Sequence, residues 1–155
     1  MREVKRLDQV FTFGDKLSFL IPHEWIEGES GHKDTYLYHY PDADSGWLRV
    51  TMITSKGPGD PAERLQELFR KKKDYWIEEK TGNLVNNYEK DIEQDGEFLH
   101  IYYWLVGSHV PPDLVHEAVF SYTILRSQIN DKANQDMINV LSQALPRADF
   151  YRVVE

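Results

Sequence analysis

The stretch Ser18-Phe19-Leu20-Ile21-Pro22-His23-Glu24-Trp25 decides how this chain begins to fold. It is a short apolar strand that ends at a proline, which has no backbone N–H to donate to a sheet. Upstream, strand-like residues 9–13 and 17–21 flank Gly14, which tolerates the positive φ of a tight turn. We therefore expect an N-terminal β-hairpin, with Trp25 and Ile26 folding back as an apolar plug.

Length and composition predict a single globular domain over residues 1–155. A chain of 155 residues with 41% hydrophobic and 13% aromatic residues can bury a core without a disulfide or a metal. The sequence has no cysteine, which excludes disulfides, thiolate nucleophiles and cysteine-ligated zinc. Binding proteins and other classes of enzyme stay open.

The charge pattern argues against nucleic acids and membranes as partners. The formal net charge is −8, so phosphate backbones repel the chain. Residues 1–8 are charged and lack the apolar segment of an export signal, and no run is apolar enough to span a bilayer. We expect a cytoplasmic protein that binds no nucleic acid and does not insert into membranes.

A second hairpin concentrates aromatic residues. Residues 35–40 and 47–55 are typical of strands, and the loop between them, at 41–46, is made of turn-forming residues. A six-residue loop would pair Tyr38 with Arg49 and Tyr40 with Trp47. One strand face would then carry a predicted aromatic surface made of Tyr36, Tyr38, Tyr40, Trp47 and Arg49. These residue types dominate binding hot spots, so we predict a partner surface here; the alternative is that a helix or the Trp25 segment covers it.

Helix signals follow the second hairpin. Asp60-Pro61-Ala62-Glu63 combines an N-cap aspartate, a proline in the first turn and a glutamate three residues after the cap. Apolar residues at helical spacing extend this helix through Trp76, and Gly82 would end it. The basic run at residues 70–73 then lies on a solvated helix face.

The last part of the chain predicts a third hairpin, a strand and a helix. Asp95-Gly96 is a two-residue turn signal between strands at 84–93 and 98–106. A strand at 115–125 precedes a helix that begins at residue 130 or 131 and ends at Pro146. The whole order, β-β-β-β-α-β-β-β-α, predicts an α+β fold: a mostly antiparallel sheet of about six to seven strands flanked by two main helices, an α/β/α-type sandwich.

Only one pair of residues looks catalytic. The Asp-Gly turn places Asp91 opposite His100, and a carboxylate that orients an imidazole is half of a catalytic triad. No serine lies in a nucleophile-elbow pattern, so we interpret the pair as a structural cross-strand contact. The histidine spacing fits no zinc motif and residues 42–46 fit no calcium loop, and we predict no metal and no cofactor.

The strand end Ser18-Phe19-…-Pro22-…-Trp25, the N-terminal hairpin and the helix between strands four and five resemble the PsbP-like (PsbP/Mog-type) fold superfamily. The likeness covers most of the chain in element order. That superfamily includes an extrinsic photosystem subunit, a yeast factor that binds the Ran GTPase, bacterial secretion-effector chaperones and many bacterial proteins of unassigned role. The resemblance implies a bacterial binding module, and no residue matches a Ran-binding or manganese-cluster site.

These observations favour a non-catalytic protein-binding or adaptor domain that engages a protein partner. The resemblance implies one specific form of this role, in which the protein is a chaperone or an immunity-type partner in a bacterial secretion system. Two alternatives stay open: a small hydrolase or metal-dependent enzyme that uses Asp91 and His100, and a small-ligand binder with a pocket between sheet and helix.

Overall fold

The computed structural model describes residues 4–43 and 46–152. It is an α+β fold with antiparallel strands and two α-helices, as the sequence predicts, but the strands form two sheets, of seven and three strands, instead of one. The elements are β1 Leu7–Thr12, β2 Leu17–Pro22, β3 Ile26–Gly28, β4 Tyr36–His39, β5 Trp47–Lys56, α1 Pro61–Arg70, β6 Trp76–Ile77, β7 Leu84–Gln94, β8 Glu97–Val110, β9 Leu114–Leu125, α2 Lys132–Ala144 and β10 Asp149–Phe150.

The N-terminal hairpin forms as predicted and gains a third strand from the end of the described chain. β1 and β2 pair across a turn in which Gly14 has a φ of +62°. β10 joins the outer side of β2, with Asp149 opposite Ser18. Trp25 is buried, as the plug prediction requires, whereas Ile26 is 44% exposed at the start of β3.

The large sheet has seven strands in the order β3-β4-β5-β9-β8-β7-β6. The small sheet and α2 cover one of its faces, because the main core joins residues of β2, β5, β8, β9 and α2. Its fully enclosed members include Leu17, Leu48, Val50, Val106, Phe120, Ile124 and Leu141. Alternating residues along β5, β8 and β9 therefore point to opposite sides.

Helix α1 packs on the other face of the large sheet and makes a smaller core with Leu84, Leu105 and Val115. Its N-terminus follows the sequence prediction, since the Asp60 side chain accepts a hydrogen bond from the Ala62 N–H at 3.1 Å. The helix approaches β8 closely at Gly107, where an added Cβ would lie 2.5 Å from Phe69 Cε1.

The predicted extension of α1 through Trp76 is wrong. The helix ends at Arg70, Asp74 adopts a φ of +61°, and Trp76 belongs to β6, opposite Val85 of β7. Lys72 therefore leaves the helix and lies over the Phe69 ring, 3.7 Å from Glu117. Pairing with a long strand outweighs helical periodicity here.

The third hairpin is confirmed in register. Asp95 and Gly96 have φ values of +55° and +81°, and Asp91 lies opposite His100. The loop predicted at 41–46 falls partly outside the described residues, at positions 44 and 45. Helix α2 begins after Asp131, as predicted, and buries Met137, Leu141 and Ala144 on one side.

Candidate functional site

The predicted aromatic surface does not form, because the register of β4 and β5 differs by one residue from the expected one. Tyr38 lies opposite Leu48, and Leu37 lies opposite Arg49. A shift of one residue sends every side chain of a strand to the other face. The three tyrosines are thereby separated from Trp47 and Arg49.

The three tyrosines pack on the core side of the sheet. Tyr38 is 3% exposed and meets Phe19 edge-on, and its burial raises the pKa of the phenol. The Tyr36 hydroxyl accepts a hydrogen bond from the Phe13 N–H at 3.0 Å. Tyr40 packs against Trp25 with ring centroids 6.1 Å apart. The Trp25 segment thus packs on Tyr40, while Phe13 and Phe19 of the N-terminal hairpin pack on Tyr36 and Tyr38.

Trp47 and Arg49 point to the other side, into a surface that sequence reasoning missed. In cross-strand register, Trp47 lies beside Thr123, and Arg49 lies beside Ser121, with Tyr103 next along the same row. We call this surface the open face; it comprises Trp47, Arg49, Leu99, Ile101, Tyr103, Ser121 and Thr123. These residues line a depression of about 460 Å³.

The open face exists because α1 covers only half of this side of the sheet. The helix packs on Leu105, Gly107 and Val115, whereas Ile101 and Trp47 lie at the other end of the strands, opposite Thr123. Leu99 and Ile101 are each 8% exposed and form an apolar floor. Trp47 and Tyr103 are half-buried, and Arg49 is exposed at the side.

Charge at the open face is mixed. The Arg49 guanidinium is on one side of the depression, while Asp95 and Glu97 stand at the far side, at the tip of the third hairpin. Tyr88 stacks on Tyr103 with ring centroids 4.5 Å apart, and its burial, together with Tyr103, raises the pKa of the Tyr88 phenol. An apolar floor with opposite charges at two sides suits an amphipathic protein segment.

The Asp91–His100 pair forms as predicted, but a third group completes it. His100 Nδ1 lies 2.6 Å from Asp91 Oδ1, and its Nε2 lies 2.8 Å from Glu89 Oε1. Arg126 binds the second oxygen of Asp91 at 3.3 Å. Partial burial alone would lower the pKa of His100, but the hydrogen bonds to both carboxylates outweigh it and raise the pKa.

That geometry leaves His100 without a chemical task. A general base needs a free ring nitrogen within reach of a proton donor, and both nitrogens of His100 face carboxylates. Within the described ranges no hydroxyl group hydrogen-bonds to His100, so a nucleophile is missing. His100 of β8 and its partners Glu89 and Asp91 of β7 link the two strands, and we call these three residues the clamp.

Metal and membrane sites have little support in the described parts of the chain. No group of three or more histidine, aspartate or glutamate side chains there could hold a metal ion. No helix within residues 4–43 and 46–152 is both long and apolar enough to cross a bilayer.

A second depression, of about 470 Å³, lies between the small sheet and α2. Phe19, Leu20 and Val140 give it an apolar wall, and Arg6 and Arg147 stand at its sides. Arg6 pairs with Asp8, and Arg147 pairs with Glu78. If the protein binds a small ligand between sheet and helix, this depression is the pocket that the structure offers. Arg6 and Arg147 already have carboxylate partners there.

No protein-family model and no curated protein matches this chain. Among solved structures, a Bacteroides thetaiotaomicron VPI-5482 protein is similar over 95% of this chain with a TM-score of 0.61 and 14% identity. The chain spans 49% of that protein. LpqN of Mycobacterium tuberculosis, described as involved in cell envelope biogenesis, is similar over 95% of this chain and 91% of its own, with a TM-score of 0.53 and 15% identity. At such identities the likeness shows the fold alone.

Proposed function

We propose that this protein is a non-catalytic protein-binding module and that the open face is its contact surface. The observation that carries the proposal is the uncovered half of the large sheet, with an apolar floor at Leu99 and Ile101 bordered by Trp47 and Arg49. Tryptophan, tyrosine and arginine supply most binding energy at protein interfaces. Hot-spot residues of these types cluster in well-packed pockets, so a depression with an apolar floor and such residues at its border is typical of an interaction site.

The clamp at His100 supports a binding role over catalysis. Its two carboxylate partners favour the protonated imidazole and occupy both ring nitrogens, so neither nitrogen is open to a substrate. The resemblance to PsbP-like proteins, most of which are binding modules, is a second support. On that resemblance alone, we propose that the protein is a chaperone or an immunity-type partner in a bacterial secretion system. We further propose that it acts in the cytoplasm.

The test is capture of partners from the native host with a tagged protein and a matched pair of double variants. Trp47→Ala/Arg49→Ala removes an aromatic ring and a cation from the open face. Phe11→Ala/Lys5→Ala likewise removes an aromatic ring and a cation, from exposed positions in β1 and in the segment before it, where Phe11 is 53% exposed. Circular dichroism and thermal unfolding confirm that both variants are folded.

We expect a stoichiometric partner that the control variant retains and the open-face variant loses. A partner that binds both variants equally would contradict the placement of the surface. Mass spectrometry of the partner tests the secretion role, since a housekeeping enzyme would contradict it. Cell fractionation tests the location: recovery in the envelope fraction would contradict a cytoplasmic role.

The small-ligand alternative has its own observation, the depression beside α2. A thermal-shift screen against metabolites would reveal it, because a ligand that binds only the folded state raises the unfolding temperature. Val140→Trp, which fills that depression, would abolish the shift.

A further inference from the structure

Strand β7 has a long outer edge without a neighbouring strand. β6, the next strand in the sheet, consists of Trp76–Ile77 and pairs only with Leu84–Val85. Among the described residues no strand pairs with the outer side of residues 87–94. A strand edge of this kind presents backbone N–H and C=O groups that can bind a further extended segment.

The side chains along this edge differ sharply between the two sides of the sheet. On the side of the open face, Tyr88 and Ile92 offer apolar surface on either side of the exposed Lys90, and Tyr88 is 47% exposed. On the opposite side, Glu89, Asp91 and Glu93 form an exposed acidic row. An incoming strand would place alternate side chains against these two environments.

We propose that the outer edge of β7 binds an extended partner segment that alternates apolar and basic side chains. Its apolar residues would lie beside Tyr88 and Ile92 and continue the open face. Its basic residues would lie beside Glu89, Asp91 and Glu93. The inference rests on the proposed function, because it specifies how the backbone of that same protein partner is held.

Charge decides between such a partner and a second copy of this chain. If two β7 edges paired in antiparallel fashion about a two-fold axis, the acidic row of one copy would lie beside the acidic row of the other. Like charges opposite each other destabilise a strand pair. His100 and Arg126 offset part of the row, but Asp95 and Glu97 at the hairpin tip add further negative charge. A basic segment is therefore favoured over self-pairing.

The experiment uses the whole protein and a capped eight-residue peptide that alternates valine with lysine or arginine. Eight residues at about 3.3 Å each match the length of the edge. The control peptide has the same composition, with the four valines in one block and the four basic residues in the other. Amide hydrogen exchange is followed along the chain with each peptide.

We expect the alternating peptide to slow exchange in residues 87–94 and the block peptide to leave it unchanged. Glu89→Lys/Glu93→Lys should weaken binding of the alternating peptide about tenfold, as the sum of two modest charge contacts. Glu24→Lys/Glu29→Lys makes the same charge change at exposed positions on either side of β3, away from β7, and should have little effect.

Three results would overturn the proposal. The first is that the alternating peptide does not slow amide exchange at residues 87–94, and the second is that the block peptide slows it equally. The third is that the free protein sediments as a dimer in which amide exchange at residues 87–94 is already slow. Trp47→Ala/Arg49→Ala should not alter the slowing at β7. Hydrogen exchange therefore tests the proposal for the β7 edge, and partner capture separately tests the proposal for the open face.

Discussion

Thr54 Oγ1 lies 2.7 Å from His116 Nδ1, and the two share a hydrogen bond between neighbouring strands. The imidazole is fully buried and stacks on Phe150 of β10, with ring centroids 5.9 Å apart. Within the described chain its Nε2 has no hydrogen-bond partner. Burial lowers the pKa of His116, and the positive charge of Lys16 lowers it further.

The first prediction concerns acid stability. Since the pKa of His116 is lower in the folded state than the value of 6.5 expected after unfolding, the unfolded chain binds the proton first. The stability that the neutral ring provides is present above pH 6.5 and is lost as the pH falls below it. His116→Phe should reduce that loss, measured as the change in urea midpoint between pH 7.5 and pH 5. An unchanged loss in the variant would show that other groups control it.

A second prediction concerns His100, where the sign is opposite. Its folded pKa is raised, so its stabilising contribution is complete below pH 6.5 and is lost as the pH rises through the folded pKa. An NMR titration of the imidazole should give a pKa above 6.5, and Asp91→Asn should lower it. Glu93→Gln removes a carboxylate from the same row without breaking a bond to His100 and should lower it less. Titration of native His100 at or below 6.5 would contradict the clamp.

A third prediction separates the two faces of the β4–β5 pair. Tyr38→Ala should reduce the free energy of unfolding by about 3–5 kcal/mol, because it removes a buried ring from the core. Arg49→Ala, at an exposed position, should change it by at most about 0.5 kcal/mol. Chemical denaturation of both variants measures the difference. A larger loss for Arg49→Ala than for Tyr38→Ala would contradict the observed register and support the one in which Tyr38 and Arg49 lie on the same face.

A fourth prediction tests the contact between α1 and β8. Gly107→Ala would place a methyl group 2.5 Å from Phe69 Cε1 and 2.8 Å from Leu65 Cδ1, and overpacking of this kind costs about 1–3 kcal/mol. The matched control is Gly57→Ala, whose methyl group would lie 3.6 Å from the Arg64 side chain, an ordinary contact distance. Thermal unfolding should show a clear loss for the first variant and little for the second. Equal effects would mean that α1 packs less closely on β8.

Turn chemistry explains which strand pairs could be predicted from the sequence. Asp95-Gly96 specifies a two-residue turn, and this defines the register of β7 and β8 without further information. The loop before Trp47 has no such signal, since it can begin at residue 40 or 41. The observed β4 ends at His39, so the loop is one residue longer than expected. Because of this one extra residue, the three tyrosines lie on the opposite face from Trp47 and Arg49, and the predicted aromatic surface does not form.

The open face was missed for a related reason. Strand 98–106 is apolar on both sides, which suggests that both sides are buried. The confirmed register does place Leu99, Ile101 and Tyr103 together, so the signal was available in the sequence. What periodicity cannot supply is the position of α1 on the sheet: it packs on Leu105, Gly107 and Val115, at the other end of the strands from Leu99 and Ile101.

The pairing of β10 with β2 has a consequence for the order of synthesis. The Ser18 and Tyr151 hydroxyls hydrogen-bond across 133 positions of sequence, and the Asn83 side chain donates to the carbonyls of Pro146 and Ala148. The N-terminal hairpin therefore leaves the ribosome long before the strand that completes its sheet. Until then its outer edge is unpaired, and the domain can close only when translation has passed residue 150. Contacts this distant in sequence slow folding, so the nascent hairpin is the part of the chain most in need of protection.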